Sequence, residues 1–291
     1  MERTRAPTHP PPSSKRATRD TDPPPTPALR LSVAACTDRG RERRGNEDSF
    51  LIASVGASVR PLEDADQMDV PPSGFATLAV CDGMGGAAAG EVASRTAVDV
   101  IREVLSTDGA ASDREAFAQR VAASVEEASR RIHAAAAANP ALTGMGTTAT
   151  VCALRGDQLF IAQVGDSRAY LLRGGQLTQL TRDQTLAALL LAQGQITPAE
   201  VESFQLGHII LQAVGTTDQL DVELTQTRVQ AGDVLLICSD GLHGPVPDTA
   251  LREALLLEPS PRAVVEVLVE LANDAGGPDN ITAIVARIGE I

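Results

Sequence analysis

The chain has 291 residues and a net charge of −13, which together bound its size and its partners. It is long enough to bury a substantial core as one large domain or two ordinary ones. An acidic surface repels nucleic acid phosphates, and a chain without tryptophan and with six aromatic residues in all lacks stacking platforms for bases, so nucleic-acid binding is excluded as a main function.

The cysteines and the apolar runs indicate the compartment. The four cysteines form no C-x-x-C pair, and no apolar run has the length of a membrane span or the position of a signal peptide. We therefore expect a soluble, cytoplasmic protein with reduced, buried thiols and no membrane attachment.

The first 28 residues have the composition of a disordered tail. They hold eight of the eighteen prolines together with scattered Arg, Ser and Thr, and such a segment cannot bury apolar surface. A single folded domain is expected to occupy residues 29–291.

The predicted elements of this domain group into runs of strands and pairs of helices. The predicted strands are 29–37, 48–55, 75–81, 147–153, 158–164, 168–172, 176–180, 221–229, 234–238 and 281–288. The predicted helices are 90–106, 113–138, 184–193, 197–204, 248–257 and 261–274, and residues 56–74 are predicted to form a polar loop. Because the helices do not alternate singly with strands, the pattern favours an α+β fold in which antiparallel sheets are covered by helix pairs.

Five aspartates stand at junctions between a turn and an apolar strand, and glycine flanks four of them. They are Asp48, Asp82, Asp166, Asp240 and Asp279. If these strands share one sheet system, several of the carboxylates can meet at one rim, where they raise one another's pKa and oppose folding unless a cation neutralises them. One such aspartate alone is more often a turn residue or a helix cap, but five in the same setting favour a metal cluster.

The chemistry of such a cluster is that of phosphoryl transfer to water. Oxygen ligands select Mg²⁺ or Mn²⁺ over zinc, and two such ions about 4 Å apart lower the pKa of a shared water toward neutrality. Arg43, with Arg44 beside it, offers a guanidinium group for phosphate oxygens. The competing interpretation takes the glycine-rich residues 83–90 as a nucleotide loop, but a Walker lysine and an acidic ribose partner are missing.

Six short motifs occur in an order that resembles one protein family. They are Arg43-x-x-Asn46-Glu47-Asp48, Asp82-Gly83-Met84-Gly85-Gly86, Gly144-Met145-Gly146-Thr147-Thr148, Val164-Gly165-Asp166-Ser167-Arg168, Ser239-Asp240-Gly241 and Asp279-Asn280-Ile281-Thr282. Through them the chain resembles, over about residues 31 to 288, the metal-dependent protein phosphatase 2C (PPM) family of Ser/Thr phosphatases in its compact bacterial form. The resemblance implies a four-layer α-β-β-α sandwich, in which helix pairs flank two antiparallel β-sheets.

The resemblance also implies a set of metal ligands. Asp82 would bridge two Mn²⁺ or Mg²⁺ ions, and Gly83 would give its carbonyl oxygen to one of them. Asp240 and Asp279 would complete the second site. Residues 181–205 correspond to a flap beside the active site that influences substrate choice.

Further residues would act around these ligands. The resemblance implies that Asp48 and Glu47 contact the metals directly or through water, and that Arg43 binds the phosphate. Asp166, together with Asp240, corresponds to a looser site for a possible third ion.

The chain departs from the family pattern at Met84, Ala87 and Gln184, where relatives frequently carry histidine. A histidine in the first of these regions is a possible proton donor to the leaving alkoxide. Without it, proton donation would rest on metal-bound water or on a residue such as His208, and activity would be slow. His208 and His243 otherwise read as surface or structural histidines.

These observations leave two functions in competition. The leading hypothesis is metal-dependent hydrolysis of phosphoserine and phosphothreonine, with phosphoproteins and Ser/Thr protein kinases as partners in signal transduction and with a monomeric chain. The alternative is a degenerate, noncatalytic module that binds phosphoproteins. Intact Asp82, Asp240 and Asp279 favour the enzyme, while the missing histidines keep the alternative open.

Overall fold

The computed structural model describes residues 29–55, 60–61, 66–70, 74–86, 89–106, 113–201, 204, 206–217 and 219–291. The predicted tail at residues 1–28 lies outside this part of the chain, and so does Ala87. Within it, no helix combines the length and the apolar character needed to cross a membrane.

The described residues form strands and helices in close agreement with the predicted pattern. The strands are β1 (Leu29–Asp38), β2 (Asp48–Val55), β3 (Arg60–Pro61), β4 (Asp66–Val70), β5 (Phe75–Met84), β6 (Gly146–Thr147), β7 (Ala149–Arg155), β8 (Gln158–Val164), β9 (Arg168–Arg173), β10 (Gln176–Gln179), β11 (Glu223–Arg228), β12 (Val234–Cys238) and β13 (Ile281–Glu290). The helices are α1 (Ala89–Ser106), α2 (Arg114–Ala138), α3 (Leu186–Ala192), α4 (Pro198–Val201), α5 (Asp240–His243), α6 (Asp248–Leu257) and α7 (Pro261–Asp274).

The strands pair into two antiparallel sheets. The first has the order β10-β9-β12-β13-β1-β4, and the second has the order β11-β8-β7-β5-β2-β3 with β6 attached to β5. The central strands β5, β7, β12 and β13 are buried along most of their length, because they are sequences of Ala, Val, Leu and Ile covered on both faces.

Three apolar cores separate four layers. One core lies between the two sheets and contains Ile52, Leu78 and Ile284. A second core joins α1 and α2 to the second sheet, and a third joins α6 and α7 to the first sheet. The layers therefore run helices, sheet, sheet, helices, which confirms the α+β four-layer sandwich.

Two predictions about local structure need correction. The predicted loop at 56–74 contains the short strands β3 and β4, and β4 extends the edge of the first sheet by pairing with β1. The prediction missed them because polar edge strands of two and five residues carry no apolar run. The predicted helix 184–193 begins at Leu186, since the Thr185 hydroxyl accepts the Ala188 N–H as an N-cap.

Candidate active site

Asp48 and Asp82 face each other at one end of the second sheet. They are register partners where β2 pairs with β5. The loop Gly144–Thr148 fixes Asp82: the Thr148 hydroxyl accepts the Asp82 N–H at 2.9 Å, and the Thr147 hydroxyl donates to the Asp82 carbonyl at 2.8 Å. The aspartate at the end of this buried strand thus has a backbone position set by side chains about 65 residues away.

Asp240 and Asp279 reach the same place from the first sheet. Asp240 follows β12, and Asp279 stands two residues before β13, which is the neighbour of β12. The two turns pack tightly, because a Cβ added to Gly241 would clash with the Asn280 carbonyl and lie 3.3 Å from the Asp279 Cβ. Glycine after Asp240 therefore allows the two aspartate-bearing turns to approach each other.

Ser239 joins the two halves of the site across the sheets. The Ser239 hydroxyl donates to Asp48 Oδ2 at 2.8 Å and accepts the Thr282 N–H at 3.0 Å. Carboxylates from both sheets consequently meet at the seam of the sandwich.

Asp82 is the electrostatic centre of this cluster. Burial raises the pKa of Asp82 well above its usual range, and three nearby carboxylates add to the rise, those of Asp48, Asp240 and Asp166. Burial also raises the pKa of Asp48 to about 7, with a further contribution from Asp240. Like charges held together out of water destabilise the ionised form of each group.

The donor atoms of this cluster fit a hard divalent cation. Asp48 Oδ1, Asp166 Oδ1 and Asp240 Oδ1 are buried and have no hydrogen-bond partner. A buried carboxylate oxygen without a partner carries a desolvation cost that a cation removes. Among the described residues, no three His, Cys, Asp or Glu side chains already surround one point closely enough to hold an ion.

Arg43 forms an ion pair with Asp279, one of the predicted metal ligands. Its guanidinium group donates to Asp279 Oδ2 at 2.6 Å, and the Arg43 side chain is 51% exposed while that of Asp279 is 31% exposed. The Arg43 guanidinium thus lies exposed at the rim of the site, beside the carboxylates.

Glu47 and Gly83 lie behind Asp48 and Asp82. The Gly83 N–H donates to the Glu47 carbonyl at 3.2 Å, and a Cβ on Gly83 would clash with the Gly90 and Glu47 carbonyls. Burial raises the pKa of Glu47. The structure thus brings the predicted Glu47, Asp48, Asp82 and Gly83 together.

Asp166 lies near both Asp240 and Asp82. Burial raises its pKa to about 7, and Asp240 is the next largest cause. The Asp166 carbonyl receives the His243 Nε2 hydrogen at 3.0 Å. Burial lowers the pKa of His243 to about 4, so this imidazole is neutral near pH 7 and holds the Asp166 backbone. His208 is exposed in the flap region, and Met84 lies at the end of β5.

Sequence reasoning missed the residues that position the aspartates. Asn280 accepts the Glu47 N–H at 2.8 Å and donates to the carbonyls of Arg39 and Gly45, both at 2.9 Å, so it secures the turn that carries Arg43. Asn280 stood within a recognised motif, but its role depends on partners 233 to 241 residues away.

A cavity of about 540 Å³ adjoins the flap rather than the carboxylates. Arg182, Thr185, Leu189, Leu211 and Glu223 are among its lining residues. Apolar side chains are exposed to solvent at this cavity, since Leu189 and Leu211 are both more than two-fifths exposed.

Comparison with known proteins agrees with this arrangement. The sequence profile of the family described as protein phosphatase 2C matches residues 63–189. A serine/threonine phosphatase, stp, from Listeria welshimeri is 34% identical over 251 residues, which cover 86% of this chain and 93% of that protein. The chain belongs to the protein phosphatase 2C family.

A further relative and its solved structure agree with this family. The serine/threonine protein phosphatase PstP of Mycobacterium tuberculosis is 38% identical over 260 residues, which cover 89% of this chain but 45% of PstP, so the chain spans about half the length of that relative. A solved structure of the PstP catalytic domain in complex with two manganese ions has a TM-score of 0.74 and 37% identity, and the match covers 90% of this chain and all of that one. The predicted family and fold are confirmed.

Proposed function

We propose that residues 29–291 form a metal-dependent protein Ser/Thr phosphatase, with residues 181–205 as its flap. The observation that carries the proposal is the group of buried carboxylates from both sheets whose Oδ1 atoms lack hydrogen-bond partners. The relatives with stated activity are Ser/Thr phosphatases, and one of them is solved with two manganese ions.

Each predicted ligand has a position in this proposal. Asp82, central among the carboxylates, would bridge two Mn²⁺ or Mg²⁺ ions, and the Gly83 carbonyl would contact one of them. Asp240 and Asp279 would serve the second ion. Asp166, together with Asp240, would hold a weaker third ion.

The remaining groups act on the substrate and on the ligands. Divalent cations, when bound, supply Lewis acidity that lowers the pKa of water and neutralises phosphate charge. Arg43 leaves Asp279 and donates to the phosphate oxygens, which orients the phosphorus toward the carboxylate cluster. Asp48, which Ser239 holds in place, and Glu47, which supports the Gly83 backbone, would contact the ions directly or through water.

The wider setting follows from the activity. We infer that the substrates are phosphoproteins made by Ser/Thr kinases, that Mg²⁺ and Mn²⁺ both support turnover, and that the chain acts as a cytoplasmic monomer in signal transduction. Its net charge of −13 favours cationic partners and cofactors over polyanions.

Turnover with and without metal tests the proposal directly. Purified protein is stripped with EDTA and assayed on a phosphothreonine peptide and a small aryl phosphate, with and without added Mn²⁺. We expect Mn²⁺ to restore activity on both. Manganese binding by calorimetry with no turnover on either compound would overturn the phosphatase and indicate the noncatalytic module instead.

A further inference from the structure

Gln184 joins the base of the flap to the loop that carries Asp166. The Gln184 N–H donates to the Gly165 carbonyl at 3.0 Å, and its side-chain Oε1 accepts the Gly165 N–H at 2.9 Å. A single residue therefore holds both backbone polar groups of Gly165.

Gly165 determines where the Asp166 carboxylate points. Gly165 has φ +95°, and a Cβ there would lie 2.6 Å from Thr148 Cγ2, so no other residue fits. A glycine has no side chain to fix its own conformation, and its orientation depends on the hydrogen bonds to its peptide groups. The next residue, Asp166, has its buried Oδ1 without a partner.

Gln184 also bonds to the segment that follows the flap. The Leu211 N–H donates to the Gln184 carbonyl at 2.8 Å, and Gln212 Nε2 donates to Gln184 Oε1 at 2.9 Å. Thr185 and Ile210 form the next rung, a β-bridge. Gln184 thus lies at the base of the flap, where residues 184–185 pair with residues 210–212.

The same network continues inward toward Asp82. Gln163 Nε2 donates to the carbonyls of Gly165 at 3.1 Å and Ser167 at 2.8 Å. The Ser167 and Thr148 hydroxyls are 2.8 Å apart, and Thr148 holds the Asp82 N–H. A continuous series of hydrogen bonds therefore connects Gln184 at the base of the flap to Asp82.

We propose that Gln184, supported by Gln212, is a positioning residue that sets the affinity of the Asp166 and Asp240 carboxylates for a divalent cation. This inference rests on the proposed function, because it concerns the weaker of the metal sites. Both glutamine side chains bond to backbone groups or to each other, so their effect would pass through the Gly165 backbone. Their effect is therefore expected on cation affinity rather than on turnover at saturating cation.

The test combines Mn²⁺ calorimetry with hydrogen exchange. Gln184→Met keeps the side-chain length and removes its hydrogen bonds, whereas Gln184→Glu keeps an acceptor for Gly165 and Gln212. We expect Gln184→Met to weaken the weakest Mn²⁺ site roughly 10-fold or more, as for loss of a group that orients a ligand, and to speed exchange at residues 164–167 in the metal-free protein. Gln212→Met should show a smaller loss, and Gln184→Glu should retain the affinity.

Gln195→Met is the matched control, because Gln195 lies exposed in the flap and its side chain bonds only to Gln193 among the described contacts. It should leave affinity and exchange unchanged. A folded Gln184→Met protein with wild-type affinity at the weakest site would overturn the inference, and so would wild-type protein that binds two ions and no third while remaining active. If Gln184→Met does not fold, unchanged affinity in Gln212→Met overturns it. Wild-type protein that binds no Mn²⁺ contradicts the proposed function itself.

Discussion

Individual carboxylates are costly to this fold and necessary to its proposed chemistry. Asp48 is buried and Asp82 and Asp240 are half-buried, and burial together with neighbouring carboxylates raises the pKa of each. Such a group lowers the stability of the metal-free protein at neutral pH, since the folded state favours the protonated form. Stability and activity should therefore respond in opposite directions when one charge is removed.

Asp240→Asn tests this opposition. We expect a loss of Mn²⁺-dependent turnover of roughly 100-fold or more, because a ligand is lost, and a rise in the Tm of the metal-free protein of about 2–4 °C. Phosphopeptide assays and thermal melts in EDTA measure the two effects. Asp233→Asn is the control, since buried Asp233 is paired with Arg173 at 2.6 Å and its neutralisation should lower Tm. A lower Tm for Asp240→Asn would contradict the reasoning.

Asn280 is predicted to act through the turn that carries Arg43. Asn280→Ala removes three hydrogen bonds to that turn, which should cost about 2–3 kcal/mol of stability and raise KM for a phosphopeptide more than it lowers kcat. Steady-state kinetics at saturating Mn²⁺ would show the split. Ser260→Ala, which removes the N-cap of α7 and no bond to that turn, should leave KM unchanged. An unaltered KM in Asn280→Ala would refute the role.

At this scale the aspartates could be predicted and their supports could not. An aspartate beside a glycine at the end of an apolar strand is visible locally, and all five predicted aspartates lie in or beside the cluster. Ser239, by contrast, gains its role from Asp48, which is 191 residues away. Such a pair becomes evident only when the two sheets are brought together.

Single elements attach to the sheets through few large side chains. The chain has only five phenylalanines, and three of them meet where α2 packs on the second sheet. The Phe117 ring lies 4.9 Å from the Phe75 ring and 5.1 Å from the Phe160 ring. Alanine makes up ten of the 25 residues of α2, and Phe117 is the largest of its buried side chains.

Phe117→Ala is predicted to destabilise the protein by about 3–5 kcal/mol through the cavity it leaves. Phe117→Leu should cost distinctly less, because it refills part of that volume. Chemical denaturation measures both. Phe50→Ala, at a partly buried position, serves as the comparison, and an equal cost for Phe50→Ala would indicate that Phe117 is not the anchor of α2.

Element boundaries followed the sequence where the apolar pattern was strong. The buried strands β7, β8, β12 and β13 and the capped helix α7 were predicted within two residues, because burial on both faces gives a continuous apolar run. Strands β3 and β4 were missed, since pairing with a neighbour and not their own composition makes them strands. The short α5, which begins at Asp240, was missed because four residues are too few to show a helical pattern.

The molecule as a whole should respond to pH through its metal state. In the metal-free fold the pKa values of Asp48 and Asp166 are raised to about 7, above their value in an unfolded chain. A raised carboxyl pKa contributes stability that is complete at low pH and is lost as the pH rises through 7.

We therefore expect the Tm of EDTA-treated protein to fall between pH 5 and pH 8, and saturating Mn²⁺ to reduce that fall, because a bound cation favours the ionised carboxylates. Thermal melts across this range measure it. Asp166→Asn should flatten the slope in EDTA. A metal-free Tm independent of pH would show that these carboxylates do not titrate in the fold.

In the proposed function, cations bound where the two sheets meet would also hold the sheets together. One half of the cluster belongs to β2 and β5, and the other half follows β12 and precedes β13, so an ion held by both halves fastens the two sheets in one alignment. Any substitution that slides one sheet over the other, even deep in the core around Leu78 and Ile284, must then alter the spacing of the ligands. If the proposed ligands hold the cations, cation affinity would therefore report how the layers of this protein are stacked.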